Sequence, residues 1–123
     1  MFKETNPNPT KNLTSDCLIR ALAIFLDKQW EYMYIELCVY AYAIYDMPNS
    51  MNVCMRYLTH LGYTRYLVPI HIQSVKQFCE EYPNGRYLLV TANHAVTVID
   101  GNYYDTFDSG DEMPIYYFTK DVT

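Results

Sequence analysis

Apolar residues fill a continuous stretch near the start of the chain, and this stretch predicts a buried helix over residues 17–26. Arg20 is its only polar residue, and a helix that is apolar on almost every side belongs inside a protein. Thr14 or Ser15 is a suitable N-cap, and Asp16 suits the positive end of the helix dipole. Cys17 is therefore expected in the first helical turn.

Three further segments have the apolar spacing of three and four residues that is typical of helices. They cover residues 30–45, 50–61 and 73–81. Short runs rich in Val, Ile, Tyr and Thr predict strands at residues 63–68, 87–92, 94–99, 103–107 and 115–119. Because helices come first and an antiparallel sheet follows, we expect an α+β fold. The helices should pack on this C-terminal sheet, and the buried central helix should start at the cysteine.

A single domain is expected to span residues 1–123, because the chain is short and shows no internal repeat or linker. Half of the residues are hydrophobic and 19% are charged, which is typical of a compact globular fold. Asn-Pro pairs at positions 6–7 and 8–9 favour extended or turn backbone, so residues 1–13 are predicted to form an irregular leader.

The charge of the chain limits the classes of partner. The net charge is −5, and the nine lysines and arginines are scattered, so no nucleic-acid partner is expected, since phosphate binding needs a basic face. A membrane surface is disfavoured for the same reason. No apolar run reaches the roughly 18–20 residues of a spanning helix, and the first residues lack a signal-peptide core, so a cytoplasmic protein is expected.

Four cysteines stand at positions 17, 38, 54 and 79, without a Cys-x-x-Cys pair or a zinc spacing. Disulfides are not expected in the cytosol, and neither a metal nor another cofactor is predicted. Cys38, Cys54 and Cys79 fall within predicted helices and are expected to be core or groove residues. Cys17 differs, because unpaired backbone N–H groups at the start of a helix can lower the pKa of a thiol.

A cysteine nucleophile needs a base, and the base usually needs a third group that orients it. His94 is the best-placed histidine, because it begins a predicted strand upstream of a hairpin whose return strand contains acids. A turn at Asp100 and Gly101 predicts the cross-strand pairs Ile99 with Asn102, Val98 with Tyr103 and Val96 with Asp105.

This hairpin register decides which acid can orient His94. Asp105 becomes a diagonal neighbour of His94 and ranks first for the orienting role. Asp108, beyond the paired region, ranks second, and Asp100, at the tip of the turn, ranks third. The alternative remains that Cys17 is a small buried hydrophobe and that His94 is an ordinary strand residue with hydrogen-bonded neighbours.

The chain has a cysteine at the start of a buried helix, then a histidine on a strand, then an acid on the next strand. This order has a counterpart in a known family. The matching segments are Ser-Asp-Cys-Leu-Ile-Arg-Ala-Leu at residues 15–22, Asn-His-Ala-Val-Thr-Val-Ile-Asp-Gly at residues 93–101 and Tyr-Asp-Thr-Phe-Asp-Ser-Gly at residues 104–110. The chain resembles the papain-like cysteine peptidase superfamily, and most nearly its compact bacterial or phage members of the bacteriocin-processing, C39-like type.

The resemblance implies a papain-like fold and a thiol hydrolase that cleaves a peptide, isopeptide or related amide bond. Cys17 would be the nucleophile, His94 its base and Asp105 the residue that orients the imidazole. The family binds the oxyanion with the backbone N–H of the cysteine and with a Gln or Asn upstream of it. This chain has no Gln there, and Asn12 is the nearest substitute.

Two other functions stay open on the sequence. A catalytically inactive module that keeps the peptidase fold would bind a protein partner, and the same triad could carry out acyl transfer or deamidation. The chain has 14 tyrosines, and tyrosine is favoured at interfaces. The tyrosine-rich helix at residues 30–45 is therefore a possible surface for a homo-oligomer or a protein partner, although edge packing of tyrosines within the fold is the simpler interpretation.

Overall fold

The computed structural model describes residues 1–120, in which four helices flank one mixed sheet. The helices are α1 (Cys17–Phe25), α2 (Trp30–Ile44), α3 (Met51–His60) and α4 (Val75–Glu81). The strands are β1 (Phe2–Glu4), β2 (Thr64–Leu67), β3 (Arg86–Val90), β4 (Ala95–Ile99), β5 (Asn102–Asp105) and β6 (Tyr116–Thr119). The predicted α+β class is confirmed. Within residues 1–120, no helix is both long enough and apolar enough to cross a membrane.

The sheet differs from the prediction at its first strand. The strand order is β1-β5-β4-β3-β6-β2, and β1 pairs with β5 in parallel while the other neighbours are antiparallel. The sheet is thus mixed rather than antiparallel, and the prediction of an irregular leader is wrong for residues 2–4. The strand forms because β5 has an open edge, where Phe2 pairs with Tyr103 and the two rings lie 5.6 Å apart.

Side chains alternate along the strands and build a core on each face of the sheet. Leu88 and Phe118 belong to the core formed with α1, α2 and α3, whereas Leu89 and Val98 belong to the core formed with α4. Leu22 of α1 has no exposed surface, as expected for the almost wholly apolar helix. Helix α1 packs against β4 and also contacts β3, β5 and α2.

Two polar contacts fix α1 on the sheet. The buried Thr97 hydroxyl of β4 donates a 2.5 Å hydrogen bond to the carbonyl of Ala21. At the C-terminus of the helix, the Arg86 guanidinium of β3 donates to the carbonyls of Ile24 at 2.8 Å and Phe25 at 3.0 Å. These carbonyls have no partner within the helix. The contacts hold the position of α1 along the sheet and therefore the place where its first residue meets β4.

Candidate functional site

Cys17 is the first residue of α1, as predicted, and it is half-buried. The residue before the helix is Asp16 rather than Thr14 or Ser15, and its side chain makes no cap hydrogen bond. The predicted cap is therefore wrong. Thr14 and Ser15 lie before the cap position because the helix begins at Cys17, and Asp16 makes no cap hydrogen bond because both of its carboxylate oxygens are already engaged, by Arg20 and by the indole N–H of Trp30.

His94 lies beside the Cys17 thiol, on the loop that leads directly into β4. Cys17, His94 and Ala95 line the same pocket, and the His94 side chain and the backbone N–H of Ala95 both lower the pKa of the thiol. Folding thus brings a sulfur from the start of the chain to an imidazole that is 77 positions later in the sequence (94 − 17). The packing of α1 on β4 makes this contact, since Cys17 begins α1 and Ala95 begins β4.

Asp105 holds the other side of the imidazole. Nε2 of His94 and Oδ2 of Asp105 are 2.5 Å apart, which leaves Nδ1 as the ring nitrogen available to Cys17. Asp105 is buried, and its carboxylate also accepts hydrogen bonds from the Ser109 hydroxyl at 2.7 Å and from the backbone N–H of Thr106 at 2.8 Å. These two donors fix the carboxylate that orients the ring.

The protonation of the pair favours separated charges. Burial alone lowers the pKa of His94, but the hydrogen bonds to Asp105 and Cys17 and their charges outweigh it and raise the pKa from 6.5 to about 9. Burial alone raises the pKa of Cys17, but the hydrogen bonds from His94 and from the N–H of Ala95, with the charges of His94 and Arg20, bring it below its ordinary 9.0. Both shifts stabilise a thiolate next to an imidazolium.

Arg20 connects the two buried acids of the site. Its guanidinium pairs with Asp16 one turn earlier on α1, and its Nη2 lies 4.0 Å from Oδ1 of Asp105. All three side chains are at least nine-tenths buried. Because a buried carboxylate needs a positive partner or several donors, Arg20 supplies charge compensation to Asp105 on the side that faces away from His94.

The other two acids of the hairpin have different partners. Asp108 accepts a 2.5 Å hydrogen bond from the hydroxyl of Tyr103. Asp100 lies at the hairpin tip and accepts a 2.9 Å hydrogen bond from the N–H of Gly85. The register that pairs Ile99 with Asn102 and Val98 with Tyr103 is as predicted. Of the three acids, the structure brings Asp105 to His94.

Cys17 and His94 lie in a cleft with two adjoining parts, which share residues 91–94 and Ile115. The part of about 320 Å³, here called the Cys17 chamber, is also lined by Cys17, Leu18, Asn49, Met51, Val90, Ala95 and Tyr116. The part of about 440 Å³, here called the Glu112 chamber, is also lined by Phe107, Glu112 and Met113. Asn12 is exposed and lines neither chamber, so its oxyanion role stays a prediction, whereas Asn49, which is also exposed, lines the Cys17 chamber.

Cys54 and Cys79 are in a different environment from Cys17. Burial raises the pKa of Cys79 to about 11 and raises that of the completely enclosed Cys54 further. Among residues 1–120, no group of three His, Cys, Asp or Glu side chains is arranged to hold a metal ion. Cys17 thus differs from Cys54 and Cys79, because its surroundings favour the thiolate.

Several residues of the site were not predicted from the sequence. Trp30 and Glu112 gave no signal, because they are 14 and 21 positions along the chain from the groups that they contact. Ser109 is only four positions from Asp105, but a serine on a loop has no signature until folding turns it towards its partner. Arg20 did give a signal, as the single charged residue within a buried helix with Asp16 four positions earlier. A charge that must be buried needs an acid nearby, and this argument identifies the Asp16–Arg20 pair.

Comparison with models of known protein families, with curated proteins and with solved structures finds no match for this chain. The resemblance to papain-like peptidases therefore stays a prediction.

Proposed function

We propose that the protein is a thiol hydrolase that cleaves a peptide, isopeptide or related amide bond with Cys17, His94 and Asp105. The observation that carries the proposal is that Cys17 and His94 line the same cleft and that Asp105 holds the His94 ring at 2.5 Å, while His94 lowers the pKa of the Cys17 thiol. A thiolate is a strong nucleophile, and an imidazolium next to it can give a proton to a leaving amine. Both are available in the same pair of side chains.

The reaction follows from the positions of these groups. The Cys17 thiolate attacks the carbonyl carbon of the amide, and the tetrahedral intermediate collapses to a thioester as the C–N bond breaks. His94 gives its Nδ1 proton to the leaving amine, while Asp105 holds Nε2 and thereby the orientation of the ring. Neutral His94 then takes a proton from water, whose oxygen attacks the thioester and releases the acid and the thiolate.

The oxyanion of the intermediate needs hydrogen-bond donors near Cys17. The backbone N–H of Cys17 at the start of α1 is one, since the first N–H groups of a helix have no partner within it. The resemblance assigns Asn12 as the second donor. Asn49 is an additional candidate, because it lines the Cys17 chamber.

The proposal is tested by digesting a peptide library made from a proteolysed cell extract in water enriched in ¹⁸O. The wild-type protein is expected to create new carboxyl termini that carry ¹⁸O, whereas Cys17→Ala should create none and His94→Ala about 10²–10⁴-fold fewer. Cys79→Ala serves as the matched control, because it removes a thiol outside the cleft. Equal products from wild type and Cys17→Ala would show that the proposal is wrong.

Acyl transfer and deamidation by the same residues give different products in this experiment. Transfer joins the acyl group to an added amine, so the new bond contains no ¹⁸O from water. Deamidation converts a glutamine side chain to an acid without cutting the peptide. Either result would leave Cys17 as the nucleophile, but the reaction would be acyl transfer or deamidation instead of hydrolysis of the peptide backbone.

A partner-binding function is the second candidate, and one observation favours it. Helix α2 buries Met33, Leu37 and Ala41 but leaves an apolar stripe exposed, with Tyr32, Ile35, Val39, Tyr42 and Tyr45 between 45% and 94% exposed. Exposed apolar patches of this kind are typical of interfaces. Full biological effect of the Cys17→Ala variant would favour binding, whereas loss of the effect with an intact fold would favour chemistry.

A further inference from the structure

The Glu112 chamber has the composition of a subsite for a long cationic side chain. Phe107 and Met113 form apolar walls and are 48% and 60% exposed. The Glu112 carboxylate supplies a negative charge in the same chamber. An aliphatic stem with a positive group at its end matches this combination, because the stem can pack on apolar surface while the charge reaches a carboxylate.

The structure holds Glu112 in place by hydrogen bonds and gives its carboxylate no ion-pair partner among the described residues. Its backbone N–H donates to the carbonyl of Ser109, and its own carbonyl accepts from the N–H of Val75. One carboxylate oxygen accepts a 3.2 Å hydrogen bond from the Thr91 hydroxyl. None of the ion pairs within residues 1–120 includes Glu112. By contrast, its neighbour Asp111 is 93% exposed and pairs with Lys76.

The chemistry of amide cleavage decides which part of a substrate enters this chamber. The acyl carbon must lie at the Cys17 sulfur, and the leaving amine must lie at the imidazole that protonates it. His94 lines both chambers, whereas Cys17 lines only the Cys17 chamber. The chain on the amine side of the scissile bond therefore continues past His94 towards Phe107, whose ring lies 5.0 Å from the imidazole.

His94 is the positive group that faces the same chamber, and its charge does not prevent this binding. Asp105 holds Nε2 of its ring, and Cys17 lies in the adjoining chamber that His94 also lines; both groups are negative in the reactive state. The molecule as a whole carries a net charge of −5, which attracts a cationic ligand over a longer range. The Glu112 carboxylate and the net charge of the molecule thus both favour a positively charged substrate.

We propose that the site, given the thiol hydrolase function above, takes peptides with a Lys or Arg side chain on the amine side of the scissile bond, and that Glu112 binds this cation. The bond that breaks is the C–N bond on the acyl side of that segment. The amine released, after it has taken the proton from His94, carries the cationic residue. The acyl group stays on Cys17 as a thioester until water releases it.

The binding part of the proposal is tested without catalysis, on the Cys17→Ala variant. A randomised octapeptide library is passed over the immobilised protein, and the retained peptides are sequenced. We expect Lys and Arg to be enriched and the enrichment to fall about fivefold in the Glu112→Gln background. Glu112→Gln keeps an acceptor for Thr91 and removes only the charge. Asp111→Asn removes the same charge outside the cleft and should leave the enrichment unchanged.

The outcomes separate this proposal from the one on which it depends. No enrichment of Lys or Arg, or equal enrichment with Glu112→Gln, would overturn the cation subsite. The retained peptides are then digested with protein that has Cys17. A cationic residue in the fragment with the new amino terminus supports the proposed direction, and one in the acyl fragment overturns it. If Lys and Arg are enriched but no peptide is cleaved, Glu112 still binds a cation. The proposed hydrolase function, and the placement of the cation on the amine side of the scissile bond, would then both be wrong.

Discussion

At the residue scale, the central feature is that Cys17 and His94 change each other's protonation. The pKa of His94 is raised to about 9 and that of Cys17 is lowered, so the charged pair is present between the two values. Hydrolysis needs the thiolate as nucleophile and the imidazolium as acid. The rate is therefore expected to rise with pH through the Cys17 pKa and to fall as His94 loses its proton near pH 9, which a pH profile of kcat/KM measures.

Asp105→Asn tests the cause of the raised His94 pKa. The substitution keeps a hydrogen-bond acceptor but removes the charge that favours the imidazolium. The falling limb of the pH profile should move from about pH 9 to lower pH, and the maximum rate should decrease. Asp108→Asn is the matched control, because that acid contacts Tyr103 and not His94. A falling limb that stays in place in Asp105→Asn would contradict the assigned role.

Asn49 and Asn12 can be distinguished as oxyanion donors by the same kind of substitution. Loss of one such donor typically lowers kcat by about 10²–10³-fold. We expect this loss for Asn49→Ala, because Asn49 lines the Cys17 chamber whereas Asn12 does not. A large loss of kcat in Asn12→Ala, with Asn49→Ala near wild type, would instead support the donor implied by the resemblance.

The sequence was sufficient to predict some residues of the site but not others, and the difference has a physical reason. Cys17, His94 and Asp105 could be singled out because chemistry restricts nucleophile, base and orienting acid to a few residue types, and the hairpin turn at Asp100 and Gly101 fixed one register. Ser109 and Glu112 could not, because a serine or a glutamate on a loop has no signature until folding places it next to its partner.

At the element scale, the position of α1 on the sheet controls the site. Periodicity predicted where α1 begins, but it could not predict that Arg86 of β3 would bind the last carbonyls of the helix, because 61 positions separate Arg86 from Phe25 in the sequence. Similarly, a three-residue strand such as β1 is too short to give an alternating pattern. Its pairing with β5 depends on an edge that exists only in the folded sheet.

Arg86→Met is expected to lower the free energy of unfolding by about 1–2 kcal/mol, because it keeps most of the aliphatic stem and removes the donors to Ile24 and Phe25. Chemical denaturation followed by circular dichroism measures the change. Lys28→Met, which removes a positive charge from the exposed loop after α1, is the control and should stay within about 0.5 kcal/mol of wild type. An equal effect of both substitutions would contradict the anchoring of α1 by Arg86.

At the scale of the whole molecule, one helix joins the hydrophobic core to the reactive sulfur. Leu22 is fully buried in the core that α1 forms with α2, α3 and one face of the sheet, and Cys17 begins the same helix. Leu22→Ala should lower the free energy of unfolding by about 2–5 kcal/mol. Denaturant unfolding of the variant checks this value, and a loss below about 1 kcal/mol would contradict the central position of α1.

The state of the Cys17 thiol tests the account most directly. The measurement is the pH dependence of iodoacetamide alkylation, followed by mass spectrometry for Cys17, with Cys79 as an internal reference whose pKa is raised to about 11. We predict a midpoint for Cys17 below 9.0 in the wild type and a shift to higher pH in His94→Ala. A midpoint at or above 9.0 that is the same in both proteins would contradict the thiolate–imidazolium pair and the hydrolase that depends on it.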